Sequence, residues 1–134
     1  MMLDNALIFS DAQDLDATAV STNVLDMGVA RDLGTGEPMW LLFQFGTVVS
    51  NATWIARLEG SAAAIMSGPV VKMTTGAAIT PTSNTLLAMP INPGVAYRYY
   101  QITYTIASGT SPHIFVTAAL VRNTELKFHS KTYR

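Results

Sequence analysis

The stretch Ala96–Val121 limits most tightly what this chain can become. It reads AYRYYQITYTIA, then the polar link SGTSP, then HIFVTAALV. Two long runs rich in Tyr, Ile, Thr, Val and Phe, separated by a Gly/Pro link, predict two β-strands joined as a hairpin. Alternation gives the first strand two faces. Arg98, Tyr100, Ile102, Tyr104 and Ile106 share one, and Tyr97, Tyr99, Gln101, Thr103 and Thr105 share the other. On the second strand Phe115, Thr117, Ala119 and Val121 alternate with Ile114, Val116, Ala118 and Leu120. A sheet with one wet face alternates apolar residues with charged or strongly polar ones. Neither strand does so. One face is therefore expected in a core and the other against a partner. Tyr100, Ile102, Tyr104 and Ile106 are assigned inward, with Tyr97, Tyr99, Gln101 and Thr103 towards the partner.

The shortage of charge extends along the chain. Charged residues make up 13% of the 134 positions, against about 25% in a typical soluble domain. From Pro38 to Val121 the only charged side chains are Arg57, Glu59, Lys72 and Arg98. A small soluble monomer normally keeps its surface charged and free of apolar patches, so this chain is expected to cover part of its surface with a partner. The net charge of −1 lacks the basic signature of a nucleic-acid binder. No apolar run approaches the ~20 residues of a membrane span. The start, MMLDNALIFSDAQDLD, has no basic n-region, so a soluble, non-exported protein is expected. The absence of cysteine removes disulfides and thiolate metal sites.

In chain order, residues 1–36 read as an acidic arm lying along the domain. Asp4, Asp11, Asp14, Asp16, Asp26 and Asp32 stand there against Arg31, with short strands at Ala6–Ser10 and Val24–Met27. Asp14 and Asp16 read as a solvated turn, because the ligand spacing of an EF-hand is missing. LGTGEP, Leu33–Pro38, is a turn cluster. Met39–Phe45 is apolar on both faces, as in a central strand, and Gly46 is expected to end it. Thr53–Glu59 alternates, placing Trp54, Ala56 and Leu58 in the core. Gly60–Gly68 holds SAAAIMS, a short turn or irregular connection, and Val70–Thr75 and Leu86–Met89 are further strands. Residues 122–134 form a basic arm carrying Arg122, Lys127, Lys131 and Arg134 with Phe128 and Tyr133 as anchors. It either frays or orders on docking. The whole predicts a single all-β domain over residues 1–134. Its centre, residues 37–121, is a jelly-roll-like β-sandwich of about seven or eight strands, with extended N- and C-terminal arms.

No chemistry is legible. His113 and His129 are too few and too separated for a cupin-type metal site. A nucleophile elbow is missing, and no carboxylate spacing recommends a glycosidase pair. The reading is of a non-enzyme with no cofactor.

Three stretches carry a resemblance: MLDNALIFSDAQDLDATAVSTNVLDMG (Met2–Gly28), DLGTGEPMWLLFQ (Asp32–Gln44) and IFVTAALVRN (Ile114–Asn123). The chain resembles, over essentially its whole length, the capsid cement or decoration proteins of tailed podophages, of the kind found on a Bordetella phage capsid. That resemblance implies a jelly-roll-like domain present in many copies on the virion exterior and made in the host cytoplasm. It also implies a major capsid protein of HK97-like fold as partner and no enzymatic activity, and it carries over no site residues. Self-association as a homodimer or small oligomer is expected as well. The candidate interface read from the residues is Tyr97, Tyr99, Gln101, Thr103, Arg122, Lys127, Phe128, Lys131, Tyr133 and Arg134. The competing expectation is a jelly-roll carbohydrate-binding module of a phage tail or surface protein, stacking sugars on Trp40, Trp54 or Tyr99.

Overall fold

A computed structural model describes residues 7–33, 39–94 and 96–122. They form nine strands: β1 (Ile8–Leu15), β2 (Ala19–Val20), β3 (Leu25–Arg31), β4 (Met39–Val49), β5 (Thr53–Ser61), β6 (Val70–Thr74), β7 (Thr85–Pro90), β8 (Tyr97–Ala107) and β9 (His113–Arg122). Two antiparallel sheets result. One has the order β1-β9-β4-β7; in the other β2 and β3 both pair with β8, followed by β5 and β6. Because β2 and β3 share one edge position, nine strands fill eight places, the two four-place sheets of a jelly roll.

The expected hairpin does not form. β8 lies between β5 and the β2/β3 edge, while β9 lies in the opposite sheet between β1 and β4. Each long strand is thus central in its own sheet, paired on both sides, and the link between them crosses the sandwich. Ser108, Gly109 and Ser111 all have positive φ (63°, 78° and 46°), which turns the chain out of the plane of its first sheet. Gly109 is needed there: a Cβ would lie 2.6 Å from Ser50 Oγ. The Thr110 amide donates to Ser50 Oγ at 3.0 Å, stacking this crossing on the equivalent one between β4 and β5.

The stretch expected as an N-terminal arm also departs from expectation. Its described part supplies β1 to one sheet and β2 and β3 to the other, and Phe9, Leu15, Leu25 and Leu33 are buried. The turn cluster expected at Leu33–Pro38 lies outside the described residues apart from Leu33. β4 runs through Gly46 to Val49, with its register to β9 broken between Phe45 and Val48.

The core lies between the inner faces. Trp54, fully buried, receives Phe43 and Phe45 edge-on, each at 4.9 Å between ring centroids. Tyr104 leans on it at 6.1 Å. The assigned inner face of β8 holds, with Tyr100, Ile102 and Tyr104 at 0% exposure and Ile106 packed on the cluster. Buried phenols need partners for their hydroxyls. Tyr104 and Ser10 hydroxyls share a 2.8 Å hydrogen bond, and Tyr100 donates to the Arg31 carbonyl at 2.6 Å. Burial raises the pKa of both phenols above its ordinary value.

Candidate protein-binding face

The outer face of the five-stranded sheet is set by cross-strand register. Ile55 faces Thr105, Arg57 faces Thr103, Glu59 faces Gln101 and Ser61 faces Tyr99. On one flank Val20 pairs with Thr103 and Asp26 with Tyr99. On the other Glu59 pairs with Val71 and Arg57 with Thr74. The result is a polar, weakly charged centre with exposed valines at both margins: Val20 is 51% exposed and Val71 48%.

Most charge on this face is already engaged. Glu59 Oε1 accepts hydrogen bonds from Gln101 Nε2 (3.1 Å) and from the Thr103 hydroxyl. Asp26 accepts from Arg98 Nε at 2.8 Å and Nη2 at 3.1 Å, and from the Gly28 amide at 2.8 Å. The Arg98 bond, and after it the Gly28 amide, lowers the Asp26 pKa below its usual value. The Arg98 guanidinium also lies 5.0 Å from the Tyr99 ring centroid. Arg57 is exposed and has no ion-pair partner among the described residues. Such a face offers hydroxyls, a phenol ring and one available guanidinium, with little desolvation cost from unpaired charge.

The expected interface residues separate. Tyr99 and Thr103 lie on this outer face, half-buried. Gln101 lies on it too but is only 8% exposed, its amide turned onto Glu59. Tyr97 leaves the set. Its ring covers Gly60 on the inner side, where a Cβ on Gly60 would overlap it, and it meets Tyr100 edge-on at 6.0 Å. The missing side chain at Gly60 makes the room, so strand alternation fails at the start of β8, where Arg98, by alternation on the inner face, is instead exposed and bonded to Asp26. Arg122 ends β9 opposite Met39. Lys127, Phe128, Lys131, Tyr133 and Arg134 lie outside the described residues. Arg57 and Glu59 were missed as site residues, although the alternation of Thr53–Glu59 already put them on the face away from Trp54.

Elsewhere, the polar groups support the fold. Lys72, its side chain 3% exposed, donates to Asp32 Oδ1 at 2.8 Å. The Gly94 amide donates to the same carboxylate, so one acid ties β6 and the approach to β8 to the end of β3. His113 Nδ1 sits 2.9 Å from Asp14 Oδ2, joining β9 to β1 at the surface. A recess of about 260 Å³ between β4, β7 and β9 is lined by Gln44, Asn84, Thr85 and Thr117 with Leu86. Of the candidate sugar-stacking residues, Trp54 is wholly buried, while Trp40 and Tyr99 lie in different sheets. Among the described residues no three His, Asp or Glu side chains come together as a metal site.

A family model described as Bbp16 matches residues 9–120, from the second residue of β1 almost to the end of β9. No curated protein matches the chain.

Proposed function

The chain belongs to the Bbp16 family, and we propose that it is a structural virion protein, a cement protein on the outer surface of an icosahedral phage capsid. In this role it bridges neighbouring copies of an HK97-like major capsid protein and resists their separation under internal DNA pressure. It works by binding, without catalysis or a cofactor, and self-associates as a dimer or small oligomer. The observation that carries the reading is the outer face of β8 and β5, poor in free charge, its polar groups pre-ordered around Glu59 and its margins formed by exposed valines. Ordered side chains lose little entropy on docking. A bridge held at several weak points gains from high effective concentration.

Copy number tests it. Quantitative electrophoresis of purified virions is expected to show the chain in numbers comparable to the shell subunit. A handful of copies per particle would reject the cement role and favour a tail component.

A further inference from the structure

Ile65 is 86% exposed, and it occupies the tip of the connection between β5 and β6. Twelve consecutive residues around it, GSAAAIMSGPVV from Gly60 to Val71, carry no charge. Val70 and Val71 at the foot of the connection are also half exposed. The nearest cation in the chain, Lys72, is turned inward onto Asp32.

The turn is built to hold that position. Met66, directly after Ile65, is buried and sits at φ 55°, a conformation a non-glycine residue adopts only when its surroundings enforce it. Its amide donates to the Ala63 carbonyl at 2.9 Å. Ser61 Oγ donates to the Ser67 carbonyl at 2.8 Å and accepts from the Ala63 amide at 3.1 Å. Gly68, at φ 57°, closes the turn. With Met66 buried on one side and Ser61 bridging the base, the branched side chain of Ile65 is presented to solvent from a fixed backbone.

We infer that Ile65 is an anchor that inserts into an uncharged apolar socket on a protein partner, the shell subunit under the function proposed above, on which this inference rests. A pre-ordered apolar side chain at a protrusion has the character of an interface hot spot, where a few residues carry most of the affinity. Three observations select a protein socket. A lipid surface is a poor match, because one isoleucine offers little apolar area and no lysine or arginine flanks it to meet headgroups. A charged groove would leave its own charges unpaired against this stretch. The recess beside β7 on a second copy is lined by Gln44, Asn84, Thr85 and Thr117 as well as Phe45, Gly46 and Leu86, so it is a mixed polar surface and not an apolar socket.

The test compares wild-type protein with Ile65→Ser and, as a control, Val49→Ser at an exposed position at the end of β4 in the other sheet, in co-sedimentation with capsids stripped of the protein. Ile65→Ser is expected to lower occupancy at least tenfold with an unchanged melting temperature, while Val49→Ser binds as wild type. A photo-crosslinking side chain at position 65 is expected to label the shell subunit. Equal occupancy for Ile65→Ser and wild type would overturn the anchor and leave the cement role standing. Wild-type protein that fails to bind stripped capsids at all would overturn the cement role itself. Co-sedimentation of wild type with phosphatidylcholine vesicles, lost in Ile65→Ser, would overturn the protein socket.

Discussion

The two faces of β8 use similar residue types and meet different surroundings. Inward, Tyr100, Ile102 and Tyr104 are sealed against Trp54 and the facing sheet, the Tyr104 hydroxyl bonded to Ser10 and the Tyr100 hydroxyl to the Arg31 carbonyl and the Tyr97 amide. Outward, Tyr99, Gln101 and Thr103 lie half-buried or nearly covered with no second layer of described strands over them, the Gln101 amide and Thr103 hydroxyl gathered by Glu59 and the Tyr99 ring faced by Arg98. Tyrosine is thus a core residue on one side and a surface residue on the other. Residue type alone does not separate the two roles; what lies across the neighbouring strand does. On β5 the same division holds, with Trp54, Ala56 and Leu58 inward and Arg57 and Glu59 outward.

Substitution effects should track that division. The largest is expected for Trp54→Ala, which empties the contact among Phe43, Phe45 and Tyr104. Large-to-small changes of this kind cost about 3–5 kcal/mol, readable by denaturant unfolding. A cost below about 1 kcal/mol, the scale of a surface change, would break the comparison.

Next comes Gly60→Ala, whose new methyl meets the Tyr97 ring. Overpacking of this sort costs about 1–3 kcal/mol. Adding Tyr97→Ala to Gly60→Ala should recover part of the loss if the ring really lies on the inner side. Additive losses in the double variant would return Tyr97 to the outer face.

Tyr104→Phe removes the hydroxyl bonded to Ser10, and the loss is expected near 1 kcal/mol. This site also has a pH signature. Its pKa is raised on folding, chiefly by burial. The folded chain therefore holds the phenolic proton more tightly than the unfolded chain. Stability from this group is complete below the unfolded value of about 10 and declines as pH rises above it. Stability measured from pH 9 upward should fall less steeply in Tyr104→Phe than in wild type. Parallel curves would show that Tyr104 is not sealed.

The smallest effect on stability is expected for Tyr99→Ser on the outer face, within about 0.5 kcal/mol of wild type, together with weakened attachment to capsids. A large loss of stability would make this face part of the core.

The individual strands were legible because period-two patterning is local. β4, β5, β6, β7, β8 and β9 fall close to their expected ranges, and the inner residues of β8 and β5 follow directly from alternation. Pairing was not legible. The SGTSP link reads as a hairpin turn by composition, yet its three left-handed residues carry the chain to the other sheet, and nothing within Ala96–Val121 encodes that β5 and β4 are the partners. The N-terminal strands were diluted in sequence because their pairing is irregular. Ala12 sits at φ 47° with register shifts on either side of Ser10 in β1, and Gly28 sits at φ 80° within the shifted stretch of β3. Of the site, Tyr99 and Thr103 came from alternation. Tyr97 depended on an empty position across the sheet at Gly60, which is a tertiary fact.

The cement role makes a geometric claim that a density map of intact particles meets directly. The expected map places the sandwich on the shell exterior across a joint between capsomers, with Tyr99, Thr103 and Arg57 against shell protein. Density for the chain only in the tail or inside the shell, or an outer β8–β5 face open to solvent in every copy, would contradict it.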